Sequence, residues 1–362
     1  MATTFLRRVY TNFATNIIDV PTRLLALMLL LLLIFLPLAQ LGSYILNMLT
    51  LANILAIFAA SWDLLVGRAG QISLGHAFFF GIGAYATALL ELFYGLPPWV
   101  TMPIAMALGV LAALLVGFPC LRVKGPSLAL VTMVIPLIAA QIVLLYALSP
   151  ITGGASGVPV AAFFPFLPIL QQRVAEYFLT LMLLLVSGIL LHKVANSKTG
   201  IVFVSILDDE LGSKACGINV TRYKLLALAI SALFATLAGG IFAHVVYVAG
   251  PATLGLSYSF LVIIITILGG IGTIYGPIAA AFILQILDRY VLTISVPVPP
   301  EWHLLIFIVV VVIIVIKWPK GIAKFVTDKL EDLQKARELE ERGKHIWKTY
   351  RKKEKKQPIH EG

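Results

Sequence analysis

Residues 45–94 read ILNMLTLANILAIFAASWDLLVGRAGQISLGHAFFFGIGAYATALLELFY, two apolar runs parted by a short stretch of glycines and polar side chains. Coiled as a helix, each run can cross a hydrocarbon core about 30 Å thick, because a helix satisfies its own backbone hydrogen bonds where no water can. Neither run alternates apolar and polar residues, as a strand of a membrane barrel would have to. The two runs predict spans over 45–66 and 77–94.

Working outward, the remaining apolar blocks predict spans over 24–41, 99–120, 126–148, 174–194, 224–249, 257–272, 277–291 and 302–317. That makes about ten in all, with eight to eleven permitted by boundaries that are soft by several residues. The run 277–291 is short and follows Gly276-Pro277, so 257–291 also reads as one span plus a re-entrant segment. Composition agrees with this: 60% of the 362 residues are hydrophobic and only 12% are charged, too few to cover a water-soluble surface. The first block follows Arg7, Arg8 and Arg23, but no small-x-small cleavage site follows it, so it reads as an uncleaved first helix. The fold class is an all-α polytopic membrane protein.

Charge orients the bundle. The net charge is +10, and residues 317–362 hold fourteen Lys or Arg against eight Asp or Glu, so +6 of it lies in that tail. A basic flank of this kind follows the positive-inside rule and needs no nucleic acid to explain it. Arg122 and Lys124 share one short loop, and Lys193, Lys198, Lys214, Arg222 and Lys224 lie in or beside another, whereas 149–172 and 292–300 carry few basic residues. With ten spans the basic segments fall on one side together with both termini, which predicts cytoplasmic N- and C-termini. Cys120 and Cys216 fall on that same side, which argues for neither a disulfide nor a metal site. The chain divides into a cytoplasmic segment 1–23, a membrane domain 24–318 and a charged tail 319–362. In the tail, 324–356 read as a helix with Phe325, Leu330, Leu333, Ala336 and Leu339 on one stripe, ending in the Lys352–Lys356 cluster. Such a helix is either solvated or laid against anionic lipid or a partner.

Four segments break the apolar pattern. In 63–85, Gly67, Gly70, Gly75, Gly81 and Gly83 surround Gln71, Ser73 and His76. A membrane helix gains nothing from such residues unless they pack closely against a neighbour or line a cavity, so a broken helix facing a path is predicted for Gly70, Gln71, Ser73, Gly75 and His76. Asp63 and Arg68 read as a structural ion pair. The second break, LGGIGTIYGP at 268–277, places Gly269, Gly270, Gly272 and Thr273 at a turn or unwound helix of the same path, and its likeness to GRAGQISLG hints at an internal duplication. The third runs from Lys124-Gly125-Pro126 through Pro136 to TGGASG on the outer face, where Thr152, Gly153, Gly154 and Ser156 suit either a flexible loop or contact with an external partner. The fourth, 196–224, is long for a connection; it predicts a short cytoplasmic helix over 203–215, with Asp208, Asp209 and Glu210 on an acidic face, Gly217 closing it and Asn219 beyond.

Taken together, SWDLLVGRAGQISLGHAFFFGIGAYATALL at 61–90, LRVKGPSLALVT at 121–132, TGGASG at 152–157, CGINVTRYKLLA at 216–227 and GGIGTIYGP at 269–277 resemble, in order and spacing, the permease family of branched-chain amino acid ABC importers, in particular its larger, LivM-type member. The resemblance covers roughly residues 45–318. It implies an ABC importer permease fold, a heterodimer with a sister permease, two cytoplasmic ATPase subunits and an extracytoplasmic binding protein. It also implies that DDELGSKACGIN at 208–219 is the coupling loop seated on the ATPase. Asp63, Arg68 and Pro136-Leu137 depart from the family's usual residues, so urea or short amides stay open as substrates beside branched-chain amino acids. An ion-coupled transporter acting alone would be expected to carry a mid-span acidic residue, and only Asp63 comes near that. The residues support the division of labour directly: no G-x-x-x-x-G-K-[ST] phosphate loop is present, since Gly343-Lys344 runs into His345. No catalytic, cofactor or metal residue is predicted in this chain, and ATP with its Mg is expected on partner subunits.

Overall fold

The computed structural model describes residues 42–288, apart from 122 and 124, together with 300–318 and isolated positions at 33 and from 321 to 329. The predicted span 24–41, segment 1–23, loop 292–300 and tail helix 324–356 lie wholly or almost wholly outside the described residues. Every element below belongs to the unit Leu36–Ala323.

Helix α1 (Ser43–Asp63) runs on into a π-helical turn, Leu64–Arg68, and an extended stretch follows before α2 (Ala77–Tyr94). Next come α3 (Pro98–Cys120), α4 (Pro126–Leu144) and α5 (Ile169–Ala195), then the short pair α6 (Lys198–Asp208) and α7 (Glu210–Ala215). Helices α8 (Val220–Val246), α9 (Leu256–Gly269), α10 (Tyr275–Gln285) and α11 (Pro300–Lys317) complete the described order. The non-helical pairing is slight: β1 (Val158–Pro159) lies antiparallel to β2 (Val248–Ala249).

Among the described residues six helices, namely α1 with its π turn, α2, α3, α4, α5 and α8, are long and apolar enough to cross a membrane, and they coincide with six of the predicted spans. Helices α9 and α10 behave differently. At 1.5 Å per residue, the 14 residues of α9 extend only about 21 Å, and α10 with the helical turn that continues it to Asp288 extends about as far over the described residues. Over the described residues both are shorter than a hydrocarbon core is thick. Between them Gly270 (φ 107°), Gly272 (φ 83°) and Ile274 (φ 60°) turn the chain back so that α10 packs on α9.

Helices α1 and α8 form the middle of the bundle. Helix α1 packs against α5, α8, α9 and α10, while α8 also covers α2 and α3. Polar residues explain the placement of α1: Asn53 Nδ2 donates to Thr180 Oγ1 (3.0 Å), and the Ser61 carbonyl accepts from Ser231 Oγ (2.6 Å). Such groups are expensive against lipid and are satisfied when turned inward. Close helix contact relies on glycine, since a Cβ at Gly83 would run into the Thr236 carbonyl of α8 and one at Gly239 into the Phe80 carbonyl of α2.

Candidate translocation and coupling site

The first glycine segment lies at the same end of the bundle as α6 and α7. The π turn closes when Gly70 N donates to the Val66 carbonyl (3.1 Å) and Gln71 N to the Leu65 carbonyl (3.2 Å). Beyond it the extended chain alternates: Gln71, Ser73 and Gly75 are buried, while Gly70 and Ile72 are exposed and Leu74 is half-buried. The predicted polar residues therefore point into the protein. Gln71 Nε2 donates to the Lys224 carbonyl at the start of α8 (2.9 Å), and Trp62 Nε1 donates to the Ser73 carbonyl (2.8 Å). Gly75 lies so close to α4 that a Cβ there would collide with the Thr132 carbonyl. His76 is fully buried; its Nε2 pairs with Ser61 Oγ (2.9 Å) and its ring stacks on Phe58 (5.1 Å between centroids). Outward, the segment presents apolar Ile72 and Leu74.

The second glycine segment meets the first. Gly272 N and Ile274 N donate to the two carboxylate oxygens of Asp63, at 2.6 Å and 2.8 Å. Gly272 lies against Gly67, where a Cβ on Gly67 would strike the Gly272 backbone, and Gly269 sits against Gly276 with equally little room. Thr273 Oγ1 donates to the Gly270 carbonyl (2.7 Å) and accepts from Gly276 N (3.2 Å), capping the start of α10. This corrects the expected Asp63–Arg68 pair: among the described residues no ion pair joins them, because the carboxylate is already taken up by two backbone N–H groups. The Arg68 side chain instead lines a cleft of about 570 Å³ with Asn196, Ser205, Asp208, Asp209 and Cys216.

The connection 196–224 is two helices, where a single one over 203–215 was expected. Asp209 breaks the run at φ −150° and ψ 104°, and its side chain accepts from Leu211 N (2.9 Å) as the N-cap of α7. The Asp-Asp-Glu triplet was a cap signal as well as an acidic face. Ser197 caps α6 and Asn219 caps α8, the latter accepting from Arg222 N (3.1 Å), while Gly217 takes φ 82° after α7. Glu210 bridges Lys214 (2.9 Å) and Lys224 (2.6 Å). These two ammonium groups, Lys224 first, hold the Glu210 carboxyl down at about 2. Asp208 remains exposed.

At the opposite end, Thr152 is buried, donating to the Val143 (2.7 Å) and Leu148 (3.0 Å) carbonyls. Gly153 and Gly154 take positive φ in the turn that follows, and Ser156 is exposed. Sequence reasoning missed the polar cluster beside this loop. Glu176, fully buried, pairs with Arg173 (3.0 Å) and accepts from Gln172 Nε2 (3.0 Å) and Tyr247 OH (3.3 Å). Arg173 also donates to Asn47 Oδ1 (3.3 Å) and stacks 5.1 Å over the Tyr247 ring. Nearby, the Glu91 carboxylate accepts from Ala161 N (3.1 Å), whose carbonyl bonds His244 Nδ1 (2.9 Å). The available signal was the i, i+3 spacing of Arg173 and Glu176 at the mouth of an apolar run.

The family profile of the branched-chain amino acid transport system permease component matches residues 44–315. Two curated proteins are 31% identical over 261 residues: the high-affinity branched-chain amino acid transport system permease protein LivM of Escherichia coli (strain K12) and the protein of the same name from Salmonella typhimurium (strain LT2). Each match takes in 66% of this chain and 61% of the relative, so it spans about three fifths of the relatives' length. No solved structure matches the chain.

Proposed function

We propose the following function for a chain that belongs to the family of permease components of branched-chain amino acid transport systems. It is a translocation subunit of an ATP-driven importer, carrying branched-chain amino acids across the cytoplasmic membrane of a prokaryote, with both termini inside. It works beside a sister permease, draws on two separate ATP-hydrolysing subunits and receives its solute from an extracytoplasmic binding protein. The observation that carries this reading is the family match across nearly the whole apolar region, 44–315.

The site geometry supports specific roles within that reading. The stretch Gly70–His76 and the turn at Gly269, Gly270, Gly272 and Thr273 build one wall of the path, with Gln71, Ser73 and His76 shaping it from behind. The apolar side chains Ile72 and Leu74 face the solute, which suits an aliphatic side chain passed on without tight binding. Helices α6 and α7 seat on the motor, with exposed Asp208 as the contact and Asp209, Glu210, Gly217 and Asn219 holding the local shape. Ser156 and the neighbouring turn Thr152–Gly154 meet the binding protein.

Co-reconstitution with the partner subunits tests the proposal. Leucine uptake should require ATP and be competed by isoleucine and valine but not by urea. Competition by urea, or uptake by this chain alone under an ion gradient, would replace it with another transport class. Asp208→Lys should reduce co-purification of the ATPase while leaving thermal unfolding unchanged, and undiminished co-purification would remove Asp208 from the contact.

A further inference from the structure

We infer that Gln71 and Asp63 are positioning residues that carry displacement of α6 and α7 into both glycine turns at once, an inference that rests on the reading of the chain as a motor-driven permease. The contacts form a continuous series. Leu207 of α6 lies over Gly70, where a Cβ would come within 2.8 Å of its side chain. Glu210 of α7 holds the Lys224 ammonium at 2.6 Å. The carbonyl of that same Lys224 accepts from Gln71 Nε2 at 2.9 Å, across 153 residues of sequence. One lysine thus ties the cytoplasmic helix by its side chain and the glycine segment by its backbone.

The series continues through the π turn. Its first hydrogen-bonded residues follow Asp63, whose carboxylate receives Gly272 N and Ile274 N, and Gly67 packs directly on Gly272. Ile274 sits at φ 60°, a conformation that a β-branched residue holds only when its surroundings impose it. A π turn is a common site of hinge-like adjustment within a helix. Between Arg68 and Ala77 the chain has no helical ladder, and ties to neighbouring elements hold it: Trp62 Nε1 to the Ser73 carbonyl, Leu74 N to Thr132 Oγ1 (3.2 Å), His76 to Ser61, and Gln71 to the Lys224 carbonyl, the bond that leads on to α7. Pulling Lys224 therefore draws Gln71, and shifting Gln71 moves the turn that Asp63 joins to α10.

A physical pathway is demonstrated only when one end responds to the other. The test uses the assembled complex, with Cys120 and Cys216 replaced by Ser and a reporter thiol introduced by Ile72→Cys, at an exposed position. Labelling by a charged maleimide is followed with and without a non-hydrolysable ATP analogue. Nucleotide should change the labelling rate about fivefold or more in the parent, the lower range of allosteric coupling. Gln71→Ala should reduce that change to under about twofold while co-purification of the ATPase is retained. Leu207→Ala, which trims an exposed side chain and leaves the core intact, should act in the same direction, and Asp63→Asn should uncouple a second reporter introduced by Ile271→Cys without affecting the one at position 72. An unchanged nucleotide response in Gln71→Ala, or no response in the parent, overturns the relay. The readout needs no solute, so the uptake assay decides the transport reading separately: leucine import with an unaltered thiol response refutes only the relay.

Discussion

The two ends of this bundle are held together by different chemistry. At the end of the 149–172 loop a charged cluster, buried Glu176 with Arg173, is enclosed by Gln172 and the half-buried Tyr247 and Asn47 and joined mainly through side chains. At the other end, beside α6 and α7, backbone groups join the two glycine segments, with Asp63 receiving two amides, Gln71 reaching one carbonyl and glycines lying in contact. A satisfied, buried charge cluster resists rearrangement, because opening it exposes unpaired charge to low dielectric. Backbone ties at unwound turns can be exchanged with smaller losses. The contrast assigns rigidity to the Arg173–Glu176 end and adjustability to the end where the glycine turns meet α6 and α7.

The largest expected effect tests the rigid end. Glu176→Ala leaves the Arg173 guanidinium without its buried partner and should destabilise the fold by about 3 to 5 kcal/mol, read as a lowered unfolding temperature in detergent. A loss below that of Asp63→Ala would reverse the contrast. Asp63→Ala strands the Gly272 and Ile274 amides and should cost about 2 to 3 kcal/mol, with Asp63→Asn recovering part because one oxygen still accepts. Equal losses for Ala and Asn would show that the charge, and not the acceptor geometry, holds the turn. Glu210→Gln should remove about 1 kcal/mol at neutral pH. Its pH dependence has a definite sign: the folded carboxyl titrates at about 2 against 4.5 unperturbed, so its contribution is complete above pH 4.5 and is lost as the pH falls towards 2. Unfolding curves of parent and Glu210→Gln should converge over that window, and a constant gap would remove Lys224 and Lys214 as the cause. Smallest of all, Ser156→Asp at its exposed loop should alter stability by less than about 0.5 kcal/mol, so that any effect on uptake would arise from the proposed docking and not from the fold.

Much of the architecture was readable before any coordinates. Apolar runs located six crossing helices within a few residues, since the period and length of a helix in lipid are local properties. The glycine segments were identified correctly as the places where helices break. Their partners were not, because Asp63 bonds to residues more than 200 positions away and no local spacing signals that. The polar residues of 70–76 were expected to face a path; in the fold burial alternates along this non-helical stretch, with Gln71 and Ser73 inward and Ile72 outside, an alternation that no local spacing announced. For 257–291 the sequence left two readings open, two spans or one span plus a re-entrant segment, and the shortness of α9 was not legible in its apolarity. Apolarity marks what can enter lipid without saying where three successive turn residues reverse the chain.

Helices α1 and α4 show where that division lies. Both are strongly apolar, but α1 is almost wholly buried within the protein whereas α4 is mostly exposed or half-buried. By itself, the sequence determined that both are helices able to cross a membrane and where the chain must break. Which helix is central, which faces outward and which two glycine turns touch were decided only by the tertiary structure. Lipid and protein core are equally apolar, so hydropathy cannot choose between them. That choice falls to the inward polar groups and close glycine contacts, which acquire partners only when distant segments meet.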